Sequence, residues 1–121
     1  MTVQADLKNR TKSFALEILR LAAELRPGAT GHLLQRQLVR AGTGVGANYR
    51  ASCRAKSRAD FIAKMTTTEE ESDEAAYWLE VLMESGDVSR TRGDELLDEA
   101  RQLTAIFVAS IKTAKRNARQ R

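Results

Sequence analysis

The feature that most constrains this chain is a set of apolar stripes advancing in alternating steps of four and three residues. Leu34, Leu38, Ala41, Val45 and Asn48 keep that spacing straight through three glycines, Gly42, Gly44 and Gly46. Such spacing lines residues along one face of a helix. The alternate glycines invite a second reading, a phosphate-cradling loop of a dinucleotide-binding unit. That loop follows a strand, opens a helix and has an acidic residue about twenty positions on. No strand-like run precedes the glycines, and no βαβ pattern occurs in the chain. The segment therefore reads as helix. Each glycine in a helix interior costs about 1 kcal/mol relative to alanine. Close approach of another backbone, or a kink, would explain them. Close approach makes Gly42, Gly44 and Gly46 candidates for a contact between subunits.

Four amphipathic segments follow from the same periodicity. The first covers about residues 11–25, with Phe14, Ile18, Leu21 and Leu25 on one face. A turn over Arg26-Pro-Gly-Ala-Thr-Gly31 leads to the second, about 32–56. Ser57-Arg-Ala-Asp60 has the form of a capping box, with Asp in place of Glu, and opens the third, about 58–85. Its inward stripe is Phe61, Met65, Thr68, Ser72, Ala75, Leu79 and Leu82, and Ser85-Gly86-Asp87 ends it. The fourth, about 91–117, carries Leu96, Ala100, Leu103, Phe107, Ser110 and Ala114 and leaves a frayed basic tail. Stripes of this period pack helices at shallow angles. The expected fold is an all-α, up-down-up-down four-helix bundle in one domain spanning residues 1–121. Thr68, Ser72, Asn48 and Ser110 dilute its seams, which favours an oligomer.

Composition narrows the function classes. No run of about 18 apolar residues exists, and the N-terminus lacks an apolar signal core, so a cytoplasmic protein without membrane contact is expected. One histidine, His32, and one cysteine, Cys53, cannot build a His- or Cys-rich metal site, nor the paired Glu-x-x-His motifs of a di-iron bundle. Cys53 lies near Arg50, Arg54 and Lys56 but has no histidine close in sequence, and it reads as a half-buried filler. The expectation is a non-enzyme without metal or cofactor.

Charge is the more telling signal. Between Leu25 and Ala59 there is no acidic residue but there are seven cations: Arg26, Arg36, Arg40, Arg50, Arg54, Lys56 and Arg58. On a straight helix Arg36, Arg40, Arg50, Arg54 and Arg58 fall within an arc of about 80°, opposite the Leu34 seam. Acids load the third segment instead, at Glu69, Glu70, Glu71, Asp73, Glu74, Glu80 and Glu84. After Glu99 the chain is basic again, with Arg101, Lys112, Lys115, Arg116, Arg119 and Arg121. Three uses of the arginine stripe compete: a solvated face, a nucleic-acid surface that neutralises phosphates, and an assembly surface that meets the acidic third helix of a neighbour. Only Tyr49 lies near the stripe, so recognition of phosphate or shape is expected rather than base stacking. Tyr77 and Val81 face outward on the third helix as a candidate subunit contact, and Trp78 reads as a filler at the core edge.

The chain resembles the bacterial four helix bundle proteins, also called 23S rRNA intervening-sequence proteins. The resemblance rests on Phe14-Ala-Leu-Glu-Ile-Leu-Arg-Leu21 and Gln37-Leu-Val-Arg-Ala-Gly-Thr-Gly-Val-Gly-Ala-Asn-Tyr-Arg50. It continues through Arg54-Ala-Lys-Ser-Arg-Ala-Asp-Phe-Ile-Ala-Lys64, Glu71-Ser-Asp-Glu74, Tyr77-Trp-Leu-Glu-Val-Leu82 and Ser110-Ile-Lys-Thr-Ala-Lys115. It implies a left-handed up-down bundle assembling as a homopentamer. The fold is also similar to the accessory protein of diversity-generating retroelements, a basic pentamer that binds nucleic acid and a reverse transcriptase. By that analogy RNA, DNA or a reverse transcriptase are expected partners. Where the family has Ser-Gly-Thr-Ser-Val-Gly, Ala41 and Gly44 replace the two serines. Where Glu-Ala is usual, Ala51-Ser52 removes an acid beside Arg50 and Arg54. The expected nucleic-acid surface is Arg36, Arg40, Arg50, Arg54 and Arg58, with Lys112, Lys115, Arg116 and Arg119.

Overall fold

A computed structural model describes residues 2–119. Four helices account for nearly all of it: α1 (Val3–Ala23), α2 (Ala29–Ser52), α3 (Arg58–Glu84) and α4 (Arg90–Arg119). Among the described residues there is no strand, and no helix is long and apolar enough to cross a membrane.

Local chemistry sets the helix ends. Thr2 starts α1 eight residues before the sequence reading began it, its hydroxyl accepting from the Ala5 N–H at 3.0 Å. That first stretch was missed because Leu7 is its only buried residue before Thr11. Ser57 caps α3 by accepting from the Asp60 N–H at 3.0 Å, while the Asp60 carboxylate accepts from the backbone N–H of Lys56 at 3.0 Å. The expected capping box is present, shifted by one donor. At the far end of α3, Gly86 takes φ of 86°, a left-handed turn that suits glycine. The helix α2 stops at Ser52 rather than near residue 56. By contrast α4 runs to Arg119, so the basic segment expected to fray is helical that far; Gln120 and Arg121 lie outside the described residues.

The apolar stripes meet as their spacing requires. Phe14, Ile18 and Leu21 of α1, Leu38, Ala41 and Val45 of α2, Met65 and Leu79 of α3, and Leu103 and Phe107 of α4 are almost wholly buried. Six expected seam positions, Leu25, Leu34, Asn48, Phe61, Ser110 and Ala114, are only half-buried. On α4 the seam passes to Ile111, which is buried. Inside the core, the Ser72 and Thr104 hydroxyls bond at 2.7 Å across α3 and α4. Each hydroxyl also lies within bonding distance of a carbonyl of its own helix, at Glu69 and Ala100, so neither proton lacks an acceptor.

The helices meet in sequence order: α2 packs extensively on α3 and α3 on α4, whereas α1 touches α4 least. The contacts run in opposite senses along neighbours. Gly42 meets Ile18 and Gly46 meets Thr11; Gly44 meets Glu71 and Arg40 meets Glu74. Arg10 clamps the sparse α1–α4 seam, donating to Glu99 at 2.6 and 2.9 Å.

The helix α2 is unbroken through its glycines, and for all three the missing Cβ has a use within the chain. A Cβ at Gly42 would lie 2.7 Å from Ile18 Cγ2, and one at Gly46 would lie 3.2 Å from Thr11 Oγ1. Gly44 faces the other way, where a Cβ would sit 3.0 Å from Glu71 Oε2. Within the chain, the neighbours admitted are chiefly side chains of α1 and α3 rather than another backbone.

Candidate nucleic-acid interface

Ending α2 at Ser52 dismantles the five-arginine stripe as a single helical face. Only Arg36, Arg40 and Arg50 lie on α2; Arg54 sits in the connection, and Arg58 is the first residue of α3. Arg40 is already engaged, bonded to the Glu74 carboxylate and 3.5 Å from Glu71 Oε2. The acidic helix it meets is α3 of its own chain.

What replaces the stripe is a basic cap. Arg50 at the close of α2, Arg54 and Lys56 in the connection, and Arg58 at the start of α3 follow one another along the chain. The last turns of α4 lie beside the start of α3: Arg58 and Phe61 share an open groove of about 640 Å³ with Ile106, Ser110, Thr113 and Asn117. That packing brings Lys112, Lys115, Arg116 and Arg119, all exposed, to the same end of the molecule. None of Arg50, Arg54, Arg58, Lys112, Lys115, Arg116 and Arg119 forms an ion pair among the described residues. Asp60 is the nearby acid, and it is taken by Lys64 at 2.8 Å. That bond, with the Lys56 backbone N–H, holds its carboxyl below the usual range. Arg36 is exposed but stands apart, on the first half of α2.

Lys8 and Lys12, one turn apart on α1, join this cap beside Arg50. They escaped the sequence reading because that helix was begun at residue 11. Paired lysines at i and i+4 were the available signal.

Asp6, in the first turn of α1, and the Arg10–Glu99 pair border the cap, while two other paired arginines lie further along the bundle. Arg92 reaches Glu24 at 3.0 Å and Glu17 at 3.8 Å, and Arg101 reaches Glu80 at 2.9 Å. Glu71 is the anomaly: its Oε2 is the one buried side-chain oxygen without a hydrogen bond among the described residues. Burial pushes its carboxyl above the usual range, against the pull of Arg40.

The aromatic expectations divide. Tyr49 is buried and stacks on Phe107 with ring centroids 5.9 Å apart, so it is withdrawn from any base. Burial and a hydrogen bond with Cys53 raise its phenol. Cys53 itself is half-buried against the core. Tyr77 is 56% exposed and meets Trp78 edge-on at 5.0 Å, while Val81 is half-buried. Trp78 packs at the core edge and donates its indole N–H to Glu74 at 3.0 Å. His32 is exposed near the start of α2. Among the described residues no three His, Cys, Asp or Glu side chains gather as a metal site would require.

An all-α chain of four helices with a segregated basic end is the class that these features define. The profile of the 23S rRNA-intervening sequence protein family matches residues 4–109, and the chain belongs to that family. The fold is similar to a crystal structure of a protein of unknown function from the S23 ribosomal protein family of Bacteroides thetaiotaomicron. The TM-score is 0.81 at 30% identity, covering 87% of this chain and 97% of the other. No significant match was found among curated proteins.

Proposed function

We propose that this chain is a non-enzymatic nucleic-acid-binding module, a left-handed up-down-up-down bundle assembled as a homopentamer, whose basic cap grips the phosphate backbone of RNA or DNA. The observation that carries this reading is the set of unpaired cations gathered where α2 ends, α3 begins and α4 finishes. Like charges held together without counter-ions repel, and a polyanion relieves that repulsion while releasing its own condensed cations. The family name, which refers to 23S rRNA intervening sequences, makes RNA the first ligand to try. Binding of purified protein to a structured RNA and a matched DNA duplex across a salt series tests it. Affinity should fall steeply with salt, with a log–log slope of several phosphates. No binding near physiological salt would refute it.

A second reading, a structural assembly protein, draws on apolar surface: Leu16, Leu19, Leu33 and Tyr77 are all exposed. Its original form, a basic stripe meeting a neighbour's α3, loses Arg40 to the chain's own Glu71 and Glu74. Assembly and nucleic-acid binding are compatible, since a ring of subunits would multiply weak phosphate contacts.

A further inference from the structure

The groove between α1 and α2 at the basic end has the makings of a distinct phosphate seat. It is an open hollow of about 220 Å³, with Lys8 and Lys12 on one wall and Arg50 on the other. Its floor is made of small residues, including Gly46 and Ala47, and no acidic side chain lines it. The floor is low for a reason already described: Gly46 has no Cβ, and Thr11 fills that space. The Thr11 and Thr43 hydroxyls donate to carbonyls of their own helices, to Leu7 and Val39, so they do not compete as donors. None of Lys8, Lys12 and Arg50 is ion-paired among the described residues. Nearby, Arg10 turns away to Glu99 on α4, and Asp6 of α1 is the closest acid in sequence.

We propose that this groove seats a backbone phosphodiester of the bound nucleic acid, with Lys8, Lys12 and Arg50 neutralising it from two helices. The proposal rests on the nucleic-acid reading and extends its surface from the cap onto the α1–α2 face. Two lysines one turn apart, about 6 Å along the helix, set two cations on one wall facing Arg50 on the other. A shallow floor of small residues lets the strand approach without collision. The chemistry required is charge alone, so sequence preference is not expected here.

The test compares two double variants that remove the same charge from opposite ends: Lys8→Gln with Lys12→Gln, and Arg26→Gln with Arg90→Gln. All four side chains are at least partly exposed and none is ion-paired among the described residues, so folding should persist, and circular dichroism checks it. A labelled RNA hairpin is titrated with each protein across a salt series. The lysine pair should lower the log–log salt slope by about 2 and weaken binding about tenfold, while the arginine pair leaves the slope unchanged. Equal losses from both pairs would reduce the effect to net charge and overturn the seat. An unaltered lysine variant, beside a wild type that binds, would overturn the seat but leave the cap standing. A wild type that fails to bind would overturn both. A last arm adds inorganic phosphate at matched ionic strength: failure to displace the RNA supports a backbone seat, and displacement at millimolar phosphate marks a small-anion site instead.

Discussion

Gly44 and Glu71 show how one missing side chain leaves a mark on a distant carboxylate. A Cβ at Gly44 would lie 3.0 Å from Glu71 Oε2, the oxygen that lacks a donor. A serine hydroxyl there would stand within reach of it, and the family resemblance places a serine at that position. Gly44→Ser should therefore stabilise the fold by about 1 kcal/mol more than Gly44→Ala, because both gain helix propensity and only serine supplies a hydrogen bond. Urea unfolding of the two variants measures the difference; serine equal to or below alanine would refute the pairing. Glu71 also carries a pH signature. Its folded carboxyl ionises above the unfolded value of about 4.3, so the folded chain holds a proton that the unfolded chain has released. Stability from this group is thus fullest below that value and is lost as pH rises through the folded pKa. Asp60, held low, has the opposite sign, and its support is lost as pH falls. Comparison with Glu71→Gln separates the two. The wild type should gain on the variant as pH is lowered from neutral to about 4, as read by unfolding at each pH; a loss would contradict the assignment.

At the scale of helices, the junction of α1 and α2 depends on Gly42. A Cβ there would meet both Ile18 branches, at 2.7 and 2.8 Å, and Ile18 is wholly buried. The Ile18 Cβ itself would lie 3.1 Å away, so the side chain cannot swing clear. Overpacking of this kind costs about 1–3 kcal/mol, more than the roughly 1 kcal/mol of helix propensity that alanine returns. Gly42→Ala should lower the denaturation midpoint, whereas Gly46→Ala, whose tightest neighbour is the Thr11 hydroxyl at 3.2 Å with the other Thr11 atoms at ordinary contact distance, should be near neutral. Equal effects would contradict the packing. The helices themselves were legible because Met65, Leu79, Leu103 and Phe107 recur at a period that only a helix satisfies. Their ends were less so. Val3 and Ala5 fall outside the seam of α1 and neither is buried, and Ser52 ends α2 without glycine or proline, so α1 was read too short and α2 too long. That one overrun created the five-arginine stripe, since a straight helix carried past Ser52 aligns Arg54 and Arg58 with Arg36. Arg50, Arg54 and Arg58 still gather, but around a chain reversal. Lys8 and Lys12 were illegible as partners because only tertiary packing sets α1 beside Arg50.

For the whole molecule, charge has a direction. Unpaired cations collect where α2 ends and α4 finishes, while Glu17, Glu24, Arg92 and their partners knit the opposite end. A polyanion would feel that asymmetry before any contact, and would approach basic end first. The most direct measurement is an arginine footprint: the protein is treated with phenylglyoxal with and without a structured RNA, and modified sites are read by mass spectrometry. Arg50, Arg54, Arg58 and Arg116 should be protected by RNA, and Arg26 and Arg90 should react as before. Protection of Arg26 and Arg90, or of no arginine at all, would contradict a basic cap that holds nucleic acid.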